Sequence, residues 1–452
     1  MTHLRTIPGR TSLSIGLLAT LAGTAVAQDP CTPGWDLSYG VPGANAGIVG
    51  SAILHDDGSG LALYAGGSYT SIGGIDANRI AKFDGKTLSP LGTGLSNAEC
   101  YALGSYDGGL YAAGYFDLAG GVPGTAKLAR WNGSDWESVG ANLELFSNQL
   151  WDLTTFDDGT GNALYISGNY TDIGGSGGNF FSKYDGKAFS PVGGSIGGAV
   201  PLIVFTAHVF DDGTGPAIYI GGRFTDVAGV PASRIAKWDG TQWSALGSGV
   251  AGSGVSVSIM TMTTFDDGSG PALYVGGQSF TSAGGVPANR VAKWDGTQWS
   301  NVGEGFAGGI VWKLAVYDDG TGEALYAFGT FTASGSTPLA RMAKWNGTAW
   351  EPFGEASATV LDALVVPGDE GDNLLVVGQF TSINGNEANR LAVWEGCGGE
   401  GVPGDLNGDG VVNGADLSIM LAAWGSDDPV ADLDGNGVVD GADLALLLSY
   451  WT

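Results

Sequence analysis

The chain repeats itself at intervals of about fifty residues, and this repetition is the strongest constraint on its fold. A Leu-Tyr or Ile-Tyr pair recurs along the sequence, and its tyrosine position advances by 47 to 55 residues each time. The six tyrosines and the valine that takes the seventh place are Tyr64, Tyr111, Tyr165, Tyr219, Tyr274, Tyr326 and Val376. Such a period indicates a propeller or a solenoid, because each unit needs neighbours to bury its apolar face.

Each repeat divides into four short segments that are typical of strands. In the fifth repeat these segments are residues 258–265, 271–277, 290–294 and 297–303, and they are rich in β-branched and aromatic residues. The turns between them carry Asp-Gly or Asn-Gly, in DDGTG and in WDG or WNG, and these pairs favour tight hairpins. The pattern predicts a mainly β protein, a seven-bladed β-propeller of four-stranded blades.

The repeat resembles the kelch-type repeat. A tyrosine-containing strand ends in Gly-Gly and is followed by two tryptophans five residues apart, as in LYVGG at Tyr274 and AKWDGTQW at Trp294 and Trp299. The resemblance extends over residues 31–400 and implies the propeller fold. It is looser where Gly-Gly becomes Ser167-Gly168 or Phe328-Gly329. We carry over the fold of this family and not its functions.

The seventh repeat lacks its second tryptophan, whereas Trp35 stands before the first repeat without a partner. We therefore expect residues 33–41 to supply the fourth strand of the last blade and to close the ring without an exposed edge. Cys31 and Cys397 would then lie at the same turn. We predict a disulfide between them, worth about 2–4 kcal/mol. Two free thiols are the alternative, and the mass of the unreduced protein distinguishes them.

Two near-identical stretches follow the repeats, DLNGDGVVNGAD at 405–416 and DLDGNGVVDGAD at 432–443. Each places side-chain oxygens at positions 1, 3, 5, 9 and 12, a glycine at position 6 and a backbone carbonyl at position 7, which is the ligand pattern of an EF-hand calcium loop. We therefore predict two Ca²⁺ sites. The predicted ligands are Asp405, Asn407, Asp409, Val411, Asn413 and Asp416, and Asp432, Asp434, Asn436, Val438, Asp440 and Asp443.

Each loop leads into an apolar helical segment, at 417–425 and 444–451. A duplicated calcium loop with one helix and with Asp at position 12 resembles the type I dockerin module. This resemblance implies that a cohesin-like or cell-surface protein is the partner. Positions 10 and 11, where that family often carries Ser or Thr that contacts the cohesin, are Gly-Ala in both loops. This departure bears on the cohesin pairing and leaves calcium binding unaffected.

The first 27 residues have the form of a secretory signal, with Arg5 and Arg10 before a short apolar core and AVA before Gln28. We therefore predict a signal peptide at 1–27, a seven-repeat propeller at 28–400 and a dockerin-like calcium-binding domain at 401–452. The mature protein is expected to be secreted, extracellular or at the cell surface, without a membrane span. Its net charge of −28 argues against nucleic acid and anionic membranes as partners.

The sequence offers no catalytic constellation, and we predict no catalytic residue. His55 and His208 are the only histidines beyond the signal, and neither G-x-S-x-G nor H-E-x-x-H occurs. We expect the propeller to be a binding or interaction platform, with carbohydrate as its ligand. A polysaccharide-degrading enzyme, a glycoside hydrolase or lyase, is the alternative. The variable loops at 174–181 and 250–258 are the candidates for specificity.

Two recurring charged features each allow two interpretations. Five arginines and one lysine open the third strand of six repeats and form either a basic collar around the channel or an internal clamp onto carboxylates or tryptophans. The DDGTG carboxylates either shape the turn or bind additional calcium. The six basic residues are Arg79, Lys127, Arg234, Arg290, Arg341 and Arg390.

Overall fold

The structure is a computed structural model of the chain. It describes residues 33–143, 148–198, 201–368, 371–396, 404, 406, 412–426, 428, 430–434 and 436–451. Residues 1–27, Cys31 and Cys397 lie outside the described residues. The signal peptide and the disulfide therefore stay predictions.

The described strands form seven four-stranded antiparallel sheets, which we name A to G in chain order. Within a sheet, consecutive strands of one repeat pair with each other, so each unit is a meander. Sheet A comprises Val49–Asp56, Leu61–Gly67, Ile80–Phe83 and Leu88–Pro90. Sheet B comprises Cys100–Tyr106, Gly109–Gly114, Leu128–Trp131 and Trp136–Ser138. Sheet C comprises Leu150–Asp157, Asn162–Gly168, Phe181–Tyr184 and Phe189–Pro191. Sheet D comprises Ile203–Asp211, Pro216–Arg223, Ile235–Trp238 and Trp243–Ala245. Sheet E comprises Ser258–Asp266, Pro271–Gln278, Val291–Trp294 and Trp299–Asn301. Sheet F comprises Val311–Asp318, Glu323–Gly329, Met342–Trp345 and Trp350–Pro352.

Sheet G combines the two ends of the repeat region. It comprises Val360–Gly368, Gly371–Gly378 and Leu391–Glu395 from the seventh repeat and Gly34–Asp36 from the N-terminal segment. Trp35 lies opposite Trp394, and their ring centroids are 5.3 Å apart. The predicted pairing of the Trp35 strand with the seventh repeat is therefore present. The strand is shorter than expected, because a 3₁₀ turn at Ser38–Gly40 follows it.

Short ribbons link the second and third strands of several sheets, and the sequence did not predict them. They comprise Ser71–Ile72 with Ile75–Asp76; Ile196–Gly197 with Asp226–Val227 and Val230–Pro231; Val250–Gly252 with Phe280–Ala283 and Val286–Pro287; Ala333–Ser334 with Thr337–Pro338; and Ser382–Ile383 with Asn386–Glu387.

The seventh tyrosine position was assigned incorrectly. In sheet D the repeat tyrosine, Tyr219, lies opposite Lys237. In sheet G the corresponding pair is Leu375 and Val393, so Leu375 and not Val376 takes the place of the tyrosine. The continuous apolar run at 374–377 has no tyrosine to mark the register, which is why the alignment slipped by one residue.

The first strand of each sheet contacts the first strand of the next sheet, from A to G, and the first strand of G contacts that of A. The side chains between neighbouring sheets form buried apolar clusters. One such cluster joins Val49 and Ala65 of sheet A to Val366, Leu375 and Val393 of sheet G. Each sheet thus buries its faces against its two neighbours, as a repeat protein requires.

A glycine is the last or the second-to-last residue of the second strand in every sheet, because the position has no room for a side chain. A Cβ atom there would overlap a backbone carbonyl near the start of the first strand of the same sheet, for example Gln149 beside Gly168. The preceding position is less restricted: it faces side chains, and in four sheets it is not glycine but Ala113, Ser167, Phe328 or Val377. The seven glycines are Gly67, Gly114, Gly168, Gly222, Gly277, Gly329 and Gly378.

The residue that precedes or opens the third strand has a positive φ in all seven repeats, between 61° and 74°. Its carbonyl accepts a hydrogen bond from the N–H of the glycine described above, as Arg234 does from Gly222 at 3.0 Å. The arginine guanidinium groups donate to backbone carbonyls of the segment that enters the next sheet, such as Arg290 Nη1 to Phe306 O at 2.8 Å. The internal-clamp interpretation therefore fits the geometry: the arginines take carbonyls as partners, whereas Lys127 pairs with the carboxylate of Asp117 at 2.9 Å, as that interpretation expected.

The C-terminal module contains helix α1, Gly414–Ala422, and helix α2, Gly441–Ser449. Both begin with a capping box, in which Asn413 with Asp416 and Asp440 with Asp443 exchange backbone hydrogen bonds. A small apolar core that includes Met420 joins the two halves. Within the described part of the chain, no helix has the length and apolarity needed to cross a membrane.

The crowding at the strand-end glycine gives a direct test. We expect Gly168→Ala to destabilise the protein by at least about 1–3 kcal/mol, because the new methyl group meets the Gln149 carbonyl. Ser167→Ala is the matched control, since its buried hydroxyl has no hydrogen-bond partner among the described residues and its loss is expected to be nearly neutral. Denaturant unfolding of both variants measures the difference, and equal stabilities would contradict this account.

Candidate functional site

The second calcium loop brings three carboxylates together. Oxygens of Asp432, Asp434 and Asp443 lie within 4.8 Å of one another. Asp432 accepts hydrogen bonds from the N–H groups of Asn436 and Gly437, and Gly437 has a φ of 88° that permits the sharp turn. The loop therefore wraps around a point at which several oxygens converge.

The carboxylate at position 12 is fixed by the backbone of its own loop. Asp443 is fully buried and accepts N–H groups of Asp434 at 3.0 Å and Asp440 at 2.7 Å. The bond from Asp440 in particular lowers the pKa of Asp443, so this group stays ionised. In the first loop, Asp416 occupies the same environment and accepts from Leu406 and Asn413. The first loop also has the predicted ligands Asp405, Asn407, Asp409 and Val411, which lie outside the described residues.

The donor set fits calcium. Every candidate ligand is an oxygen, the cluster is strongly anionic, and Ca²⁺ accepts such ligands in flexible geometry. Asp440 also caps α2 through its bond from Ala442 N–H at 2.7 Å. A cation bound here would therefore couple the loop to the start of the helix.

A second candidate site is a cavity of about 480 Å³ that is lined by the first strands of all seven sheets. We call it the first-strand cavity. Each first strand carries a β-bulge near its start, and the extra residue at each bulge lines the cavity. These bulge residues are Gly50, Tyr101, Trp151, Phe205, Met260, Trp312 and Leu361. The bulges thus direct a mostly large and aromatic row of side chains into one space.

The aromatic residues of this row form a partly exposed platform. The rings of Tyr101 and Trp151 are stacked, with centroids 4.5 Å apart and planes 4° from parallel. Phe205 meets Trp151 edge-on at 5.3 Å, and the guanidinium of Arg223 lies 5.8 Å from the Phe205 ring. The indole N–H of Trp151 has no hydrogen-bond partner among the described residues. A flat ligand could pack against the exposed parts of these rings, whereas the Trp151 N–H is buried and not open to such a ligand.

The next residue along each first strand forms a second, more polar row. Lys313 and Asp362 are joined by an ion pair of 2.7 Å. Three side chains of the row accept a backbone N–H from the following sheet: Asp152 from Ala207, Thr261 from Leu314 and Asp362 from Ala52. This row therefore ties neighbouring sheets together and also presents polar groups to the cavity. Its members are Ser51, Ala102, Asp152, Thr206, Thr261, Lys313 and Asp362.

Burial changes the proton affinity of two members of this polar row. Burial raises the pKa of Asp152, and its backbone hydrogen bonds do not fully offset that effect. Burial alone would lower the pKa of Lys313, but the neighbouring Asp362 outweighs it and the net shift is upward. Lys313 therefore remains a cation held between carboxylates.

Sequence reasoning placed the variable contacts elsewhere. Neither 174–181 nor 250–258 contributes to the first-strand cavity. The missed signal was the bulge position near the start of each first strand, where the repeats differ although the residue before it is apolar in all seven. His55 and His208 instead bond to Ser105 and Thr264 of the following sheets, at 2.9 Å each, and burial lowers the pKa of both. These contacts agree with a structural role.

The DDGTG carboxylates have intramolecular partners. In sheet D, Asp211 accepts turn N–H groups from Gly213 and Gly215 at 2.9 Å each. Asp212 accepts from Lys237 at 2.6 Å and from Tyr219 at 2.9 Å. The same Asp–Tyr–Lys cluster recurs in sheets A, C, E and F. These contacts favour the turn-shaping interpretation over additional calcium. The other clusters are Asp57, Tyr64 and Lys82; Asp158, Tyr165 and Lys183; Asp267, Tyr274 and Lys293; and Asp319, Tyr326 and Lys344.

Residues 403–451 match the family model of the dockerin type I domain. This match confirms the resemblance drawn from the two loops and helices. A dockerin type I domain is an extracellular module that binds calcium and docks onto cohesin modules, and it occurs in secreted proteins attached to cell surfaces. No curated protein matches the chain.

Two solved structures align with most of the chain at low identity. One is the extracellular domain of BT4673 from B. thetaiotaomicron, with 12% identity and a TM-score of 0.48 over 79% of this chain and 39% of that chain. The other is BBS1N in complex with ARL6DN, with 9% identity and a TM-score of 0.43 over 78% of this chain and 93% of that chain. The chain spans about two fifths of the length of the first structure.

The buried Asp–Tyr–Lys cluster predicts a specific response to acid. Burial alone would raise the pKa of Asp212, but hydrogen bonds from Lys237, Thr214 and Tyr219 outweigh it and lower the pKa to about 2. A lowered pKa in the folded state stabilises the protein above the unfolded pKa of about 3.9, and that stabilisation is lost as the pH falls towards 2.

We therefore expect Asp212→Asn to lower the free energy of unfolding by on the order of 2 kcal/mol at neutral pH. The difference in unfolding free energy between this variant and the wild type should shrink as the pH falls from about 4 to about 2. Unfolding measured across this range checks the expectation, and a deficit that stays constant down to pH 2 would contradict it.

Proposed function

We propose that the seven sheets are the blades of a closed propeller. Three contacts between sheet G and the first repeat support closure. Asp362 accepts the N–H of Ala52 at 3.1 Å, and Arg390 donates to the carbonyls of Ala44 at 2.9 Å and Gly47 at 3.0 Å. Gly34 also lies opposite Glu395; in the sequence, Cys31 precedes Gly34 by three residues and Cys397 follows Glu395 by two, which supports the proposed disulfide.

The function that fits these features best is a secreted carbohydrate-binding module held in place by its dockerin domain. The single observation that carries this proposal is that two rows line the first-strand cavity together. One row is the mostly aromatic bulge residues, and the other is the more polar residues that follow them along the strands. A sugar ring presents apolar C–H faces and polar hydroxyl edges. Aromatic side chains suit the faces, and Asp, Lys and Thr groups suit the edges.

A polysaccharide-degrading enzyme is the second candidate. The observation that favours it is Asp152, whose pKa is raised by burial in a row that also holds Asp362. Glycosidases use a carboxyl group with a raised pKa together with a second carboxylate. Both carboxylates, however, accept backbone N–H groups from the following sheet, which already gives them a structural role. We therefore place binding first.

The dockerin domain would tether the module to a cohesin-like or cell-surface protein. Gly414-Ala415 and Gly441-Ala442 replace the hydroxyl residues at loop positions 10 and 11, so recognition would depend on other surface residues. Large apolar side chains are exposed at equivalent places on both halves of the domain. They include Leu421 and Trp424 near α1 and Leu448 and Trp451 near α2, which are 44% to 54% exposed. We expect the partner protein to dock on this repeated apolar surface.

Calcium binding can be tested on the full mature chain. Calorimetric titration after chelation is expected to show two sites, and Asp434→Ala should remove one of them by deleting a central ligand. Asp428→Ala is the control, because Asp428 caps a turn through Val430 N–H outside both loops. Two unchanged sites in Asp434→Ala would contradict the ligand assignment.

Carbohydrate binding can be tested with a glycan array and a parallel assay for released reducing sugar. We expect a bound glycan without release, and Trp151→Ala should weaken binding at least about tenfold by removing half of the stacked platform. Trp424→Ala, an exposed tryptophan of the dockerin domain, is the control and should bind normally. Sugar release that is lost in Asp152→Asn would replace the binding proposal with the enzymatic one.

A further inference from the structure

A separate apolar cavity of about 250 Å³ lies between sheets A and G. We call it the A–G cavity. Its walls are almost entirely aliphatic or aromatic, and it opens at Val41, which is 50% exposed, and at Lys86, which is also exposed. It shares no lining residue with the first-strand cavity. The walls include Leu54, Leu63, Phe83, Leu88, Leu375 and Val393.

On the side of sheet G, the cavity exists because the repeat's polar cluster is missing. In sheet D the cluster consists of Asp212, Tyr219 and Lys237, joined by hydrogen bonds. The strand register places Gly368, Leu375 and Val393 at these positions in sheet G. This wall therefore has neither the tyrosine ring nor the ion pair that other sheets present to their neighbour.

On the side of sheet A, the repeat's tryptophan pair is missing. In sheet D, Trp238 and Trp243 pack with ring centroids 5.2 Å apart, and Trp243 Nε1 donates to Val192 O of the preceding repeat. Similar pairs occur in sheets B, E and F, at 5.3 to 5.4 Å. In sheet A the same positions are Phe83 and Leu88. The space between sheets A and G therefore lacks the bicyclic ring that most other interfaces contain; sheet C, with Tyr184 and Phe189 at these positions, also has none.

We propose that the A–G cavity binds a small planar aromatic carboxylate. The planar shape follows from the fold, because the equivalent positions hold indole rings in sheets B, D, E, F and G and smaller aromatic rings in sheet C. The size agrees, since an apolar cavity of about 150 Å³ holds a benzene ring and this one is larger. The charge follows from Lys86, the only ionisable basic residue of the lining, which has no ion-pair partner among the described residues.

The ligand would place its ring between Leu88 of sheet A and Leu375 of sheet G, where burial of apolar area supplies most of the binding free energy. Its carboxylate would stay at the opening near Lys86, where a partly exposed ion pair adds a smaller contribution. The site does not depend on the proposed carbohydrate function, because the two cavities have different walls and different chemistry.

Calorimetric titration of the mature protein with 2-naphthoate tests the proposal. We expect saturable 1:1 binding that is weaker for neutral 2-naphthalenemethanol and weaker still for octanoate, which has the charge but not the planar ring. Octanoate binding as tightly as naphthoate would overturn the aromatic assignment. An absence of saturable naphthoate binding would overturn the site itself.

Variants locate the ligand. Leu88→Trp restores the indole of the other repeats and should abolish binding while leaving the protein folded or more stable. Lys86→Gln should weaken naphthoate about tenfold and leave the alcohol unchanged. Lys187→Gln is the matched control, since Lys187 follows Asp-Gly at the same turn of sheet C. Equal effects of the two lysine variants, or full binding in folded Leu88→Trp, would contradict this site.

Discussion

A position without room for a side chain organises each repeat of this protein. The glycine at or next to the end of the second strand lies against a backbone carbonyl near the start of the first strand, and its N–H bonds to the carbonyl of a residue with positive φ. The β-bulge of the first strand lies directly opposite. In sheet D, Gly222 pairs with Val204 and Gly221 with Thr206, so Phe205 is left over and lines the cavity. Close backbone packing at the glycine and the display of the bulge residue are therefore one structural feature.

This arrangement separates the residues that build the repeat from those free to vary. The glycine is fixed by a backbone contact that all seven repeats make, and the aromatic pairs and the Asp–Tyr–Lys cluster are fixed by packing and polar contacts that recur in most of them. The bulge residue has no opposing residue on the neighbouring strand, and its side chain faces a cavity. The repeats can therefore differ at this position without loss of folding. Tyr101, Trp151 and Trp312 are found at such positions. Variation inside a constrained scaffold is where specificity is expected in a binding protein.

The sequence predicted the strands, the pairing of Trp35 with the last repeat and the calcium loops, because each has a local marker: a period, an unpaired tryptophan or a ligand spacing. It did not predict the cavity, because the bulges shift the register by one residue and only strand pairing shows which side chains converge. It also misjudged the partners of the arginines. A backbone carbonyl such as Phe306 O leaves no trace in residue identity, so only the coordinates could reveal it.

The interface between sheets A and G shows how a repeat can depart from its own pattern. It lacks both the tryptophan pair and the polar cluster, yet it is held by contacts that other residues supply. Asp362 reaches Ala52, Arg390 reaches Ala44 and Gly47, and Ala44 N–H bonds to Asn389 O at 3.1 Å. Because these polar contacts lie outside the apolar wall, adhesion between the sheets does not require that space to be filled. An apolar cavity can therefore persist at this interface, next to the sheet in which the two ends of the repeat region pair.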